Sequence, residues 1–173
     1  PSRAGGVCDA VVASGATGRV GVYVLGSHWS VLGERADMCG TTVERNKWRL
    51  VGPMHIAPTE EQARAEVAHG LPEWMDYFKR VAALPLAPDA DGLESMIDAM
   101  NNSGMSVIGT PEMATAQIQR LIDQSGGFGT FLFMAHEWAN RDNTLASYEL
   151  FAREVMPHFQ GQLDRATGSR DWA

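Results

Sequence analysis

Cysteine is almost missing from this sequence. Cys8 and Cys39 are the whole supply, and they form no close pair. That argues against a disulfide scaffold and for free thiols in a reducing cytoplasm. Basic residues are also short: 14 Lys and Arg stand against 21 Asp and Glu, a net charge of −7. An acidic surface of that kind gives no support for nucleic-acid binding. No apolar run is long enough to span a bilayer, and neither a signal-peptide pattern nor a low-complexity segment is present, so no membrane role is expected. Fixed-period repeats are lacking as well. Several chemistries drop out for want of their spacing. His136-Glu137 is not followed by a second histidine at the zincin interval, and the five histidines show no metal-ligand pattern. There is no nucleophile elbow and no Ser-His-Asp order. Gly104, Gly109, Gly126, Gly127 and Gly129 are too scattered for a dinucleotide fingerprint, and no P-loop occurs.

What is present alternates between short apolar runs and helical patterns. Val7–Ala13 reads as a buried strand ending in the small-residue loop Ser14-Gly-Ala-Thr-Gly18. Val20–Met38 reads as a helix with an apolar face of Tyr23, Leu25, Trp29, Leu32 and Ala36. Lys47–Ala57 is the next strand, its regular pairing expected to stop near Pro53, which has no N–H to give. Thr59 with Gln62 forms a capping box for a helix whose face includes Ala63 and Val67. Helices follow over Glu73–Leu84, with Trp74, Tyr77, Phe78 and Val81 on one side, and over Gly92–Asn101. The Pro85–Gly92 loop separates them.

Val107 to Phe159 is the most informative stretch. Thr110 is an N-cap, Pro111 stands at the first helical position and Glu112 faces the positive helix end. Ala114, Ile118, Leu121 and Ile122 line one face, and Gly126-Gly127 stops the helix. Phe131-Leu-Phe-Met134 is apolar without alternation, the pattern of a strand covered on both faces. Leu145, Tyr148, Ala152, Val155 and Phe159 stripe a final helix, before a polar tail over Gly161–Ala173. Strands near Val7, Leu50 and Phe131, each followed by helix, predict parallel α/β architecture.

The segments Val107-Ile-Gly-Thr-Pro-Glu112 and Phe151-Ala-Arg-Glu-Val-Met-Pro157 resemble the C-terminal end of the luciferase-like flavin-dependent monooxygenases. Trp48-Arg-Leu-Val-Gly-Pro-Met-His-Ile-Ala57 with Thr59-Glu-Glu-Gln-Ala63 is similar to the seventh strand and next helix of that family's limonene-monooxygenase-like branch. The resemblance implies the C-terminal three βα units of a (β/α)8 TIM-type barrel over residues 1–160, with a helical segment inserted before the last strand. A complete barrel takes about 250 residues, so the remaining strands are expected on a missing N-terminal portion, or a second copy must cover the open edge. The resemblance further implies FMN, reduced by a separate flavin reductase, that uses oxygen to oxygenate a small apolar organic substrate. This chain alone is expected to be inactive. Ser2 and Arg3 match the family's phosphate-holding segment, where a hydroxyl and a guanidinium suit a phosphate dianion. Ser14, Gly15 and Thr17 form a loop that lets backbone approach a planar ligand. His55 and His136, at strand ends, are candidates for the substrate pocket. No metal site is expected, and no catalytic residue can be named. The competing reading is a non-catalytic α/β module that binds a ligand or another protein through an exposed sheet.

Overall fold

The structure, a computed structural model, describes residues 21–81 and 90–160, with side chains described from residue 25 onward. Ser2, Arg3, Ser14, Gly15, Thr17, the strand expected near Val7 and the tail 161–173 lie outside the described residues.

Helix α1 (Gly21–Met38) leads through a 3-10 turn at Arg45–Lys47 into strand β1 (Arg49–Ile56). Helices α2 (Glu60–Val67), α3 (Leu71–Arg80) and α4 (Leu93–Asn102) carry the chain to strand β2 (Val107–Gly109). Helix α5 (Pro111–Ser125) leads on to β3 (Thr130–Met134). A last helical stretch runs as α6 (Arg141–Leu150), a π turn (Phe151–Val155) and α7 (Met156–Phe159). All strand pairings are parallel, in the order β2-β1-β3.

That order differs from consecutive barrel units, whose strands would lie as β1-β2-β3. β1 is the long strand, with eight residues against three in β2 and five in β3. In the central place it pairs with β3 through Arg49–Pro53 and with β2 through Met54–Ile56. A consecutive order would leave β1 only the three residues of β2 as a partner, so the observed order satisfies more ladder groups. β2 itself is missing from the sequence reading. The helical segment before it, α2, α3 and α4, forms the crossover from β1 to β2, as a parallel pair requires.

Helices cover both faces of the sheet. On one face Ala63, Val67, Leu71, Met75, Ile97 and Met100 pack with Ala57, Ile108 and Trp138. On the other, Met54, Ile56 and Val107 meet Ala114, Ile118 and Val155. The period-2 alternation of β1 thus sends Met54 and Ile56 to one layer and His55 to the opposite one. Arg64 ties α2 to α4 by binding Glu60 at 2.9 Å, Glu94 at 2.8 Å and Asp98 at 2.7 Å. At the start of β1, Trp48 and Leu50 pack with Leu25 and Leu121, which joins α1 to α5.

Local signals hold where they are strong. The Thr110 hydroxyl accepts from the Met113 N–H, Pro111 opens α5 and Gly126 closes it in the left-handed region at φ 72°. The Thr59 hydroxyl accepts from the Gln62 N–H at 3.2 Å. The reciprocal half of that capping box is replaced, because Gln62 Nε2 donates to Glu66 instead.

Three apolar stripes behave differently from expectation. Among the described residues β3 is not covered on both faces: Leu132 is 44% exposed, because α2 and α4 lie over β1 and β2. On α3, Tyr77 and Val81 point outward while Leu71 and Met75 are buried. In the last helix, Leu145 and Ala152 are exposed, and the inward positions are Ser147 and Val155. Two causes act there. Ser147 bonds the sheet, and the π turn, where the Met156 N–H reaches back to the Phe151 carbonyl, shifts the helical phase ahead of Pro157.

Candidate functional site

The C-terminal ends of β1 and β3 converge on one polar patch inside the apolar layers. It begins at Pro53. The β3 ladder ends with the Pro53–Met134 pair, and the β2 ladder begins one residue later at Met54–Val107. Ladder groups alternate sides along a strand. The Ala57 N–H goes to the Gly109 carbonyl on the β2 side, so Pro53 faces that side too, below the point where β2 starts. A proline is tolerated there because no ladder bond is asked of it.

Beyond Pro53 the β3 side of β1 would be bare, and side chains fill it. His136 Nε2 lies 2.8 Å from the Met54 carbonyl oxygen, and the Ile56 N–H donates to Ser147 Oγ at 2.9 Å. Met54 O and Ile56 N flank His55, as the two bonds of a parallel rung do. Two side chains thus stand in for one rung of a strand. Ser147→Ala should leave a buried N–H without a partner, at a cost of about 1–3 kcal/mol. Urea unfolding and faster amide exchange at Ile56 will read it; an unchanged midpoint would show that the rung carries no stability.

The bond to Met54 O makes Nε2 the protonated nitrogen of His136. Its Nδ1 is then the acceptor for the Trp138 N–H at 3.3 Å. The ring stacks on Trp138 with centroids 4.1 Å apart. Burial holds the His136 imidazole down at about 4, the Met54 carbonyl working against the shift and neighbouring His55 adding to it. His136 is therefore a neutral clamp with both nitrogens engaged.

His55 is completely buried, its ring centroid 6.3 Å from that of His136 in an edge-on arrangement. Its Nε2 lies 2.8 Å from Glu66 Oε2. The second oxygen of Glu66 accepts from Gln62 Nε2 at 2.7 Å. Among the described residues His28 Nδ1, His55 Nδ1 and Trp138 Nε1 are buried without a hydrogen-bond partner, the last two in this patch. Trp138 is itself fully buried and meets Trp74 edge-on at 5.3 Å. The loop that carries His136 and Trp138 is pinned from below, because the Gly70 N–H donates to the Trp138 carbonyl at 2.9 Å.

The structure therefore brings together the two histidines singled out by sequence. It adds Glu66, Ser147 and Trp138, which sequence reasoning did not pick. Glu66 had a signal: it adjoins the Ala63–Val67 face of α2 and lies four residues after Gln62. Among the described residues no cluster of three His, Cys, Asp or Glu side chains could hold a metal ion. No helix there is long and apolar enough to cross a membrane.

This parallel α/β fold is shared with known oxygenating enzymes: the chain is a homologue of monooxygenases. It is 48% identical to limonene 1,2-monooxygenase of Rhodococcus erythropolis over 164 residues, 94% of this chain and 42% of that one. It is 29% identical to 4-hydroxyprotoasukamycin monooxygenase of Streptomyces nodosus subsp. asukaensis over 86% of this chain and 40% of that one. Among solved structures, the oxygenating constituent of 3,6-diketocamphane monooxygenase from Pseudomonas putida, a Type II Baeyer-Villiger monooxygenase in complex with FMN, matches at 27% identity and a TM-score of 0.55. That match covers 79% of this chain and 40% of the other. The monooxygenase RslO1 of Streptomyces bottropensis, at 16% identity and a TM-score of 0.61, shares the fold over 86% of this chain and 41% of its own. No protein-family model matches. The chain spans about two fifths of the length of these relatives. The resemblance to the limonene-monooxygenase-like branch is borne out by the first of them.

Proposed function

We propose that this chain is part of an FMN-dependent, luciferase-like monooxygenase that oxygenates a small apolar organic substrate in the cytoplasm. The observation that carries the reading is the 48% identity to limonene 1,2-monooxygenase across nearly the whole chain. It favours an enzyme over a non-catalytic binding module. In a chain of the relatives' length, these units would take places in a (β/α)8 barrel, with the other three fifths supplying the remaining strands. Reduced FMN, delivered by a separate reductase, would supply the activation of oxygen.

The residues of this chain have positional roles. Ser2 and Arg3 would hold the flavin phosphate, and Ser14, Gly15 and Thr17 would offer backbone and hydroxyl donors to the ligand. His55 and His136 would take part in the wall of the pocket where substrate and flavin meet. His136 would do so as a neutral clamp that fixes the loop after β3, and His55 through its unpartnered nitrogen. Trp138, stacked on His136, belongs with Met100 and Ile97 to the apolar cluster on that side of the sheet, which would exclude water.

The test is an oxygenation assay with reduced FMN, oxygen and limonene. The 173-residue chain should give no product. The same chain joined behind the N-terminal three fifths of the Rhodococcus relative should give product. Product from the isolated chain would refute its incompleteness; no product from a folded, completed chain would refute the activity.

A further inference from the structure

We propose that Trp138, Trp74 and Tyr77 form a route that carries oxidising equivalents from the buried patch to the protein surface, so that oxidative damage falls on an exposed tyrosine. The route depends on the oxygenase reading above only for the source of its oxidant, an oxygen-derived radical that accepts one electron. It needs no bound cofactor and no open cavity, because electrons cross between packed rings.

The rings run outward without a gap. His136 stacks on Trp138 at 4.1 Å, and Trp138 meets Trp74 edge-on at 5.3 Å. Trp74 meets Phe78 at 4.3 Å, and Phe78 meets Tyr77 at 5.4 Å. Exposure rises along the series: Trp138 is fully buried, Trp74 and Phe78 are half-buried, and Tyr77 is 52% exposed. Phe78 does not oxidise under these conditions. Trp74 and Tyr77, however, are three residues apart on α3, a spacing that makes them neighbours on the helix surface. The electron therefore passes between them directly.

Trp138 can lose an electron but not a proton. Its Nε1 is buried without an acceptor, so its radical stays a cation and remains strongly oxidising. The ring stacked on it, neutral His136, adds no opposing charge. Trp74 refills Trp138 with one electron, and Tyr77 refills Trp74. Tyr77 then gives its phenolic proton to water, which its exposure allows and which makes the last transfer downhill at neutral pH. In sum, Tyr77 loses one electron and one proton, and the oxygen-derived radical gains one electron. Another close pair of indoles among the described residues lacks these properties. Trp29 and Trp48 lie 5.3 Å apart, but the Arg45 guanidinium stands 4.4 Å over the Trp29 ring and resists a second positive charge there.

A laser flash that ejects electrons from the indoles of the 173-residue chain, with a scavenger for those electrons, tests the route without flavin. The tryptophan radical absorbance should decay into that of a tyrosyl radical at a rate independent of protein concentration. Tyr77→Phe should lose that rise. Trp74→Phe keeps an aromatic ring in place and leaves Tyr77 intact, and it should lose the rise as well. Trp29→Phe should keep it. Peptide mapping after the flash should find oxidation mainly at Tyr77 in the parent and severalfold more at Trp138 in Trp74→Phe. The route is refuted if the parent shows no rise, if the rise quickens with protein concentration, or if Trp74→Phe keeps it. Loss of the rise in Trp29→Phe, or Trp138 no more oxidised in Trp74→Phe than in the parent, sinks it equally. Each of these outcomes leaves the monooxygenase reading intact, and a completed chain that fails to oxygenate limonene leaves the route intact.

Discussion

Gly70→Ala should cost about 3 kcal/mol of folding stability, the upper end of the range for forcing an extra atom into a packed interior. A Cβ built on Gly70 would stand 2.0 Å from the backbone oxygen of Glu137 and 3.1 Å from its carbonyl carbon. Backbone cannot rotate out of the way as a side chain can. The corner cannot retreat either without stretching the 2.9 Å bond from Gly70 N–H to the Trp138 carbonyl. Gly109 supplies the control. There a Cβ would meet Met113 Sδ at 2.4 Å, the far end of a flexible thioether. Gly109→Ala should therefore lose only about 1 kcal/mol. Urea midpoints of the two variants settle the comparison. Equal losses would mean that the corner between α2 and α3 is soft and does not hold the loop after β3. Because that loop carries His136 and Trp138, Gly70→Ala should also raise amide exchange at Trp138.

The second large effect is a dependence on pH that one residue governs. His136 has an ordinary value of 6.5 and is held at about 4 in the folded chain, chiefly by burial. Between those values the unfolded chain binds a proton that the folded chain does not. Stability from this source is complete above about pH 6.5 and declines as the pH falls, by about 1.4 kcal/mol per unit, or roughly 3 kcal/mol by pH 4. His55, the titratable neighbour in ring contact with it, pushes in the same direction as burial. His136→Gln separates this contribution from that of the carboxylates. A glutamine can donate its amide to the Met54 carbonyl and accept from the Trp138 N–H, but it does not titrate. Unfolding measured near pH 7 and near pH 4.5 should show the parent losing about 2 kcal/mol more than the variant over that interval. Parallel losses would show that His136 is already free to protonate in the folded state.

What could be read from the residues alone was local. The cap at Thr110, the start at Pro111 and the stop at Gly126 are each fixed by a few neighbouring atoms, and α5 lies where they put it. Pro53 likewise announced a change in pairing, because a missing N–H is a property of one residue. The strand order was not readable: it depends on which of two short strands can cover which part of a long one. β2 escaped notice because three residues make no periodic pattern, and the cap that follows dominates their neighbourhood. Phe131-Leu-Phe-Met134 was read as buried on both faces from its composition, but cover for Leu132 depends on where distant helices lie. His55 and His136 stood out as unusual residues at strand ends, while their partners came from elsewhere in the chain. Glu66 reaches His55 across a turn into α2, and Ser147 reaches β1 from 91 residues away.

The pair His136 and Ser147 has one more effect, on alignment. A slip of β3 along β1 by one residue would drag the loop behind it and pull the imidazole off its carbonyl, besides turning every β3 side chain to the opposite face. The two side chains act as a detent: a short, half-uncovered strand that could otherwise creep along its neighbour is stopped at a single notch.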